Sequence, residues 1–136
     1  MEFETKIALI IRDDLELWQK LNVTAFLTSG IVGTADGIMG DDYKDANDIS
    51  YNPLVIQPMI ILSASADELA RTRRRAASRE VRVSVYIEDM FSTGHDGANR
   101  ESVAKYSSDD LPLVGLSMRG DKKIVDKITK GLKLHQ

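Results

Sequence analysis

Residues 5–31, TKIALIIRDDLELWQKLNVTAFLTSGI, couple an apolar run to a helical pattern through a short charged turn. Ile7 to Ile11 is apolar without alternation, which is typical of a strand that is covered on both faces and lies near the middle of a sheet. Arg12, Asp13 and Asp14 follow at its carboxyl end. Because ligands of open α/β sheets tend to bind beyond that end, this turn is the first place where we expect chemistry.

The predicted helix after the turn carries apolar residues on two stripes. The first stripe has the spacing i, i+3, i+4 and i+8 and consists of Val23, Phe26, Leu27 and Ile31. The second has the spacing i, i+4 and i+8 and consists of Leu17, Leu21 and Ala25. Two such stripes predict a helix that is buried on both flanks. We therefore expect Trp18 and Phe26 in the core rather than on a surface where a ligand could stack.

The composition is typical of one soluble globular domain. The 136 residues suffice for one core and are too few for two ordinary domains, so we predict a single domain over residues 1–136. The net charge of −3 gives no general attraction to polyanions, which makes nucleic acid an unlikely partner. The amino terminus does not resemble a signal peptide, and no apolar run approaches the roughly 18 residues of a membrane span. Together with the lack of cysteine, this leads us to expect a cytoplasmic protein without a membrane partner.

Gly40 to Asn52 is polar and acidic, which predicts a long solvated loop. Asp45 and Asn47 do not open an EF-hand, because that motif needs glycine where Ser50 stands and glutamate where Ile56 stands. We predict no metal site and no cofactor.

Three further signals mark the middle of the chain. The second strand should begin at or just after Pro58, where the missing amide proton does least harm. Ser65 and Glu68 have the spacing of a capping box and open an arginine-rich helix. Val81 to Ile87 alternates between apolar and polar residues, which predicts an edge strand with one polar face.

Leu111 to Met118 is another mostly apolar segment, and Asp121 is placed to cap a last helix. The order is strand, helix, strand, helix, strand, strand, helix. We predict an α/β fold, a three-layer α/β/α sandwich on a four-stranded mixed sheet, with the last strand antiparallel. The first and fourth strands, which are apolar throughout, are expected in the middle of the sheet.

Several short motifs occur in a fixed order along nearly the whole chain, in residues 10–15, 66–69, 83–89, 113–116 and 125–134. Their order and spacing resemble those of the class II peptidyl-tRNA hydrolases. The Arg-Asp-Asp-Leu turn and the Trp-Gln-Lys-Leu-Asn-Val helix look still more like an uncharacterised domain-of-unknown-function family that shares the fold of these hydrolases. The resemblance implies the same α/β architecture that the periodicity predicts.

The resemblance also implies site residues. Lys20 falls on the lysine that opens the first helix of the hydrolases, Asp89 on the acid after their third strand, and Thr93 on the threonine beyond it. These three would share one cleft. However, Leu17-Trp-Gln-Lys20 replaces the hydrolases' Gly-Lys-Gly-Lys run, and Thr24 and Leu27 replace a helix glutamine and histidine. The surface that could follow an RNA backbone is thus missing, and we expect little peptidyl-tRNA hydrolysis.

Each candidate has a structural alternative. Asp13 and Asp14 are placed to bind a cation or a substrate amine, or one of them pairs with Arg12. His95 either replaces the missing helix histidine as an acid or base, or is solvated on its glycine-flanked loop. Thr24 is a candidate ligand-binding residue. Among the three residues that the resemblance implies, Lys20 could be an ordinary helix lysine, Asp89 a cap of the next turn, and Thr93 a turn hydroxyl.

Two classes of function follow. In the first, the protein hydrolyses an amide or ester bond of an acylated small molecule. Asp89 then positions Lys20 or a water, Lys20 stabilises the oxyanion, and Thr93 donates a hydrogen bond. In the second, the same cleft binds a small ligand without chemistry, and a homodimer is the assembly to look for in either case. A nucleic-acid module that uses the arginine-rich helix is a third, weaker hypothesis.

Overall fold

The computed structural model describes residues 2–136 as a mixed α/β fold with a five-stranded sheet in the order β5-β6-β1-β4-β7. The strands of this sheet are β1 (Thr5–Arg12), β4 (Met59–Ala64), β5 (Ser84–Ile87), β6 (Leu113–Asp121) and β7 (Lys133–Leu134). A separate hairpin is formed by β2 (Tyr43–Lys44) and β3 (Ser50–Tyr51). The helices are α1 (Leu17–Thr34), α2 (Ala66–Ser78), α3 (Asp96–Ala104) and α4 (Lys122–Ile128).

The centre of the sheet agrees with the sequence. β1 pairs in parallel with β4 and antiparallel with β6, so the two most apolar strands are both interior, as predicted. β4 begins directly after Pro58, and β5 is an edge strand, although it begins at Ser84 rather than at Val81. The predicted caps are also confirmed, since Ser65 Oγ accepts the Glu68 N–H at 3.2 Å and Asp121 accepts two N–H groups of α4.

The predicted count of four strands is wrong, because β7 adds a fifth. After a turn at Gly131, whose φ is +91°, residues 133–134 pair antiparallel with β4. The His135 N–H then donates to the carbonyl of Ile61 at 3.0 Å. A strand of two residues has no detectable periodicity, so the pattern of the sequence could not reveal it.

The segment predicted as a solvated loop contains the β2–β3 hairpin. A bridge between Met39 and Val55 closes its base. At its tip, Asp45 Oδ1 accepts the N–H groups of Asn47 and Ile49, and the Tyr51 hydroxyl donates to Asp45 Oδ2 at 2.8 Å. The bond from Tyr51, followed by the two main-chain bonds, lowers the pKa of Asp45. The acidic residue therefore organises the turn.

Both faces of the sheet carry a core, which makes three layers. On β1, Ala8 and Ile10 face a cluster with α2 and α4, whereas Ile7, Leu9 and Ile11 face a cluster with α1. This alternation explains the uninterrupted apolar run, because each face of the strand is covered. No helix within residues 2–136 is long and apolar enough to cross a membrane.

Helix α1 rests closely on the sheet through one stripe only. Val23, Leu27 and Ile31 are buried, and a Cβ atom on Gly115 of β6 would lie 2.8 Å from Val23 Cγ1. The expected burial of both flanks is wrong, since Leu17 and Leu21 are 73% and 65% exposed. Trp18 and Phe26, assigned to the core from the sequence, are 58% and 60% exposed. Leu17 and Leu21 are exposed because α1 lies over β6, β1 and β5 and leaves this face of β4 and β7 largely uncovered. Trp18 and Phe26 lie on the other flank of α1, beside an open depression.

Candidate functional site

Helix α1 separates two grooves on its face of the sheet. The first, which we call the aromatic groove, lies between α1, β5 and α3 and consists of two adjoining depressions of about 410 and 400 Å³. The two depressions share Phe26, Tyr86, Met90, Asp96 and Asn99, and the first also includes Trp18, Asn22, Phe91, Thr93, Gly94 and His95. This volume is within the range of about 300–1,000 Å³ that small-molecule sites occupy.

Four aromatic side chains form a continuous chain along this groove. The ring centroids of Trp18 and Phe91 are 5.8 Å apart in an edge-to-face arrangement. Phe91 and Tyr86 follow at 5.3 Å, and Tyr86 and Phe26 at 6.0 Å. Trp18 and Phe26 are the exposed ends of the chain, so they present ring surface to anything that enters the groove.

Polar groups surround the aromatic chain near Trp18. The Thr93 hydroxyl bonds with Asn99 Oδ1 and lies 3.1 Å from the carbonyl oxygen of Met90. His95 Nδ1 accepts the Ala98 N–H at 3.1 Å, which makes His95 the cap of α3. Two of the predicted site residues, Thr93 and His95, are therefore brought together here, and both also have a structural role.

The second groove, which we call the lysine groove, lies on the opposite flank of α1, above β1 and β4. It has a volume of about 240 Å³ and is lined by Ile11, Leu17, Lys20, Leu21, Thr24, Ile61, His135 and Gln136. The Thr24 hydroxyl donates to the carbonyl oxygen of Lys20 at 2.7 Å. Two more predicted site residues, Lys20 and Thr24, are thus neighbours in a mainly apolar groove.

His135 enters the lysine groove from the end of β7. Its Nδ1 lies 2.9 Å from the main-chain oxygen of Gln136, which can only accept a hydrogen bond. Nδ1 therefore donates this bond, and the second ring nitrogen is Nε2. Within residues 2–136, this Nε2 is buried and has no hydrogen-bond partner.

Asp89 lies at the end of β5 and lines neither groove. Both of its carboxylate oxygens accept the Tyr106 hydroxyl, at 2.9 and 3.1 Å. This bond is the main reason why the pKa of Tyr106 is raised. In this geometry Asp89 connects the turn after β5 to the segment after α3.

The turn after β1 is an ion-pair cluster. Arg12 Nε contacts Asp14 and Arg12 Nη1 contacts Glu88, each at 2.6 Å, so the alternative in which an aspartate pairs with Arg12 is the one observed. Asp13 is exposed and its N–H donates to the carbonyl of Ala64. In the part of the chain that the structure describes, no group of three or more His, Asp or Glu residues is arranged to hold a metal ion.

The predicted residues therefore divide into separate places. Lys20 and Thr24 line one groove, Thr93 and His95 line the other, and α1 stands between them. The resemblance that grouped Lys20, Asp89 and Thr93 rests on their order along the chain. The flank of a helix on which a residue lies is set by the helical period of 3.6 residues, which that order does not contain. Trp18 precedes Lys20 by two residues and points to the other flank.

Sequence reasoning missed several lining residues. Trp18, Asn22 and Phe26 have the spacing i, i+4 and i+8, which indicates a common stripe, but aromatic residues on a helix were assigned to the core. His135 had no signal, because it follows a strand too short to recognise. Tyr86 lies in β5 and Phe91 in the turn after it, and the sequence pattern does not show that both line a groove.

Comparisons with known proteins identify the chain only as a member of a family. A search of curated proteins finds no match. Among solved structures, the protein of unknown function Atu0240 from Agrobacterium tumefaciens strain C58 is 51% identical to this chain and superimposes with a TM-score of 0.97. The match covers 99% of this chain and 100% of that one. The model of a family described as proteins of unknown function (DUF2000) matches residues 5–136, and the chain therefore belongs to that family.

Proposed function

We propose that this protein binds a small organic molecule with a flat apolar body in the aromatic groove. The observation that carries the proposal is the pair of exposed rings, Trp18 and Phe26, at the ends of a groove beyond the carboxyl end of β5. A soluble domain gains nothing in stability from exposing two large rings beside a depression. A ligand that stacks on them would remove that apolar surface from water.

The polar groups around the rings define the rest of the ligand. The side-chain amides of Asn22 and Asn99 offer both donors and acceptors, and the Thr93 hydroxyl lies beside Asn99. Asp96 and Arg100 both line the groove and form an ion pair at 2.5 Å, so these two charges neutralise each other. A neutral ligand with one amide-like or hydroxyl group at its edge fits these contacts better than an ion.

The alternative function is hydrolysis of an amide or ester bond, within a fold like that of the class II peptidyl-tRNA hydrolases. The α/β order and the residue resemblance support this fold as a proposal. The hydrolytic mechanism needs Lys20, Asp89 and Thr93 around one reacting carbonyl, within about 3 Å of it. Because Lys20 and Thr93 line different grooves and Asp89 holds Tyr106, the arrangement favours binding over this catalytic set.

The test uses the one tryptophan of the chain, which gives a single indole N–H signal in a ¹⁵N-correlated spectrum. We expect 2-naphthamide, a flat bicyclic compound with one amide, to shift the signals of Trp18 and of the Asn22 and Asn99 amides saturably. Phe26→Ala should weaken this binding about fivefold, the scale of one lost aromatic contact.

Leu21→Ala is the matched control, because it removes an exposed apolar side chain from the other flank of the same helix. It should leave the affinity for 2-naphthamide unchanged. A Trp18 signal that does not move at millimolar 2-naphthamide, or an equal loss of affinity in both variants, would contradict the proposal.

A further inference from the structure

A third cavity lies under the carboxyl-terminal end of α1 and adjoins the aromatic groove at Ser84. Its volume is about 530 Å³, and we call it the arginine groove, after Arg82 and Arg119 in its lining. Gly30, Thr34, Glu80 and Ser84 are further residues of its wall. Its opposite walls are the end of α1 and the strands β5 and β6.

The end of the sheet brings the two arginines to one cavity. Ser84 of β5 pairs with Ser117 of β6, which is the last pair of their antiparallel ladder. Arg82 lies two residues before Ser84, outside β5, and Arg119 lies two residues after Ser117 in β6. Both point to the α1 face, since the Ser117 hydroxyl donates to the carbonyl of Leu27 and Arg119 is paired with the α1-facing residue Ile7.

Two like charges that line the same cavity repel each other. In this protein the repulsion is not compensated by carboxylates: none of the ion pairs found among residues 2–136 includes Arg82 or Arg119. Glu80 lines the same cavity without forming such a pair. The one recorded side-chain bond of Arg119 runs from Nε to Gln57 Oε1, at 3.4 Å. Most guanidinium N–H groups are therefore available to a ligand.

We infer that the arginine groove binds the phosphoryl group of a small phosphate monoester, held between Arg82 and Arg119. A phosphate carries nearly two negative charges and three terminal oxygens, so it can bridge two guanidinium groups and cancel their repulsion. A carboxylate has only two oxygens, which one guanidinium fork already occupies. Thr34 and Ser84 also line this space, and the Thr34 hydroxyl donates to the carbonyl of Gly30 at 2.7 Å.

This site is independent of the ligand proposed for the aromatic groove. The two spaces share Ser84 as a wall residue, but none of the aromatic rings lines the arginine groove. Failure of one proposal therefore leaves the other standing.

The experiment compares thermal unfolding and isothermal calorimetry with inorganic phosphate and with phenyl phosphate, at constant ionic strength set with sodium chloride. The wild-type protein should bind both probes saturably and unfold at a higher temperature in their presence. Arg82→Gln and Arg119→Gln should each weaken binding about tenfold or more, the scale of a lost charge-assisted bond.

The like-charge pair gives the test a second readout. Without phosphate, Arg82→Gln should be at least as stable as the wild type, because it removes the repulsion between the two arginines of the cavity. Arg71→Gln is the control, since Arg71 is an exposed arginine of α2 and outside the groove. Its stability should equal that of the wild type both without and with phosphate. The comparison therefore also accounts for any general effect of phosphate as a salt.

Two results would overturn the inference. One is a phosphate-induced shift that is the same in Arg82→Gln as in the wild type. The other is a loss of stability of Arg82→Gln in phosphate-free buffer, which would show that Arg82 is bonded within the protein. If phenyl phosphate does not bind at millimolar concentration while inorganic phosphate does, the ligand is not a monoester, and that part of the inference is wrong.

Discussion

The bond between Tyr106 and Asp89 gives a predicted site residue a structural contact. Asp89 is the acid that the resemblance placed in a cleft, and the structure gives both its oxygens to a tyrosine hydroxyl. A carboxylate that accepts such a bond stabilises the neutral phenol, which raises the pKa of Tyr106. The role of Asp89 is thus open to a direct measurement of pH dependence.

We expect Tyr106→Phe to lower the free energy of unfolding at neutral pH and to have no such effect in strong base. The sign follows from the raised pKa: the contribution of the hydroxyl is complete below the unfolded tyrosine pKa of about 10 and is lost as the pH rises through the folded value. Urea unfolding of both proteins at neutral pH and near pH 11 measures it. A difference between the two proteins that persists unchanged in base would contradict this reading.

Asp89→Asn is the companion variant, because it keeps an acceptor oxygen and loses the charge. The sequence-based prediction is a nearly unchanged thermal midpoint with ligand affinity down about tenfold. The structure adds that the pKa of Tyr106 should be raised less in this variant, because the bond to the Asp89 carboxylate is the main cause of the elevation, while burial and Glu88 remain. A lower midpoint with intact ligand binding would leave Asp89 only its structural role.

At the scale of elements, the seat of α1 on the sheet depends on a glycine. A Cβ atom on Gly115 would meet Val23 Cγ1 at 2.8 Å, Leu27 Cδ1 at 2.9 Å and the Ile10 carbonyl oxygen at 3.1 Å. The helix therefore packs against bare backbone of β6, and the neighbours include main chain that cannot move aside. Gly33 of the same helix has nothing within 4 Å of such an atom.

We expect Gly115→Ala to lower the free energy of unfolding by about 1–3 kcal/mol through overpacking. Gly33→Ala should raise it by about 0.5 kcal/mol, because alanine has the better helix propensity and meets no obstacle. Chemical denaturation of the two variants checks both signs. Equal effects of the two substitutions would mean that α1 is free to shift on the sheet.

The sequence predicted long and periodic elements well and short or uncovered ones poorly. The uninterrupted run of β1, the capping box at Ser65 and the alternation before Ile87 each reflect a physical constraint local to the element. β7 has two residues and left no pattern. The predicted burial of Leu17 and Trp18 is wrong, because periodicity shows only which residues share a stripe and not whether another element covers it.

The candidate site was predictable only in part for the same reason. The sequence places polar residues after β5, and Thr93 and His95 line a groove there, while their role as site residues stays a prediction. The division between Lys20 and Thr93 depends on the three-dimensional position of α1, which the order of motifs does not contain. The sequence pattern could not predict that Arg82 and Arg119 line one cavity. Their proximity depends on the pairing of Ser84 with Ser117, which are 33 residues apart in the chain.

For the whole molecule, the charge distribution argues against RNA. The net charge is −3, and Arg73 and Arg74 of the arginine-rich helix both contact Asp109, while Arg75 donates to the carbonyl of Lys130. A single phosphate site under α1 would neutralise one charge of a polyanion, which releases few counterions. The third hypothesis, a nucleic-acid module, is thus the weakest of the three.

We expect no measurable hydrolysis of peptidyl-tRNA and only weak binding of tRNA at about 0.15 M salt, falling steeply as salt is added. Fluorescence anisotropy with labelled tRNA over a salt series measures the binding. Sub-micromolar affinity that persists at this ionic strength would contradict the prediction.

Helix α1 walls all three cavities: Trp18 faces one, Lys20 another, and Thr34 the third. Any two ligands that occupy different cavities therefore contact the same helix. Their binding equilibria form a closed thermodynamic cycle. In such a cycle, the factor by which the first ligand changes the affinity of the second equals the factor by which the second changes that of the first. Measured in both directions, this factor gives the coupling free energy between two cavities that share α1 as a wall.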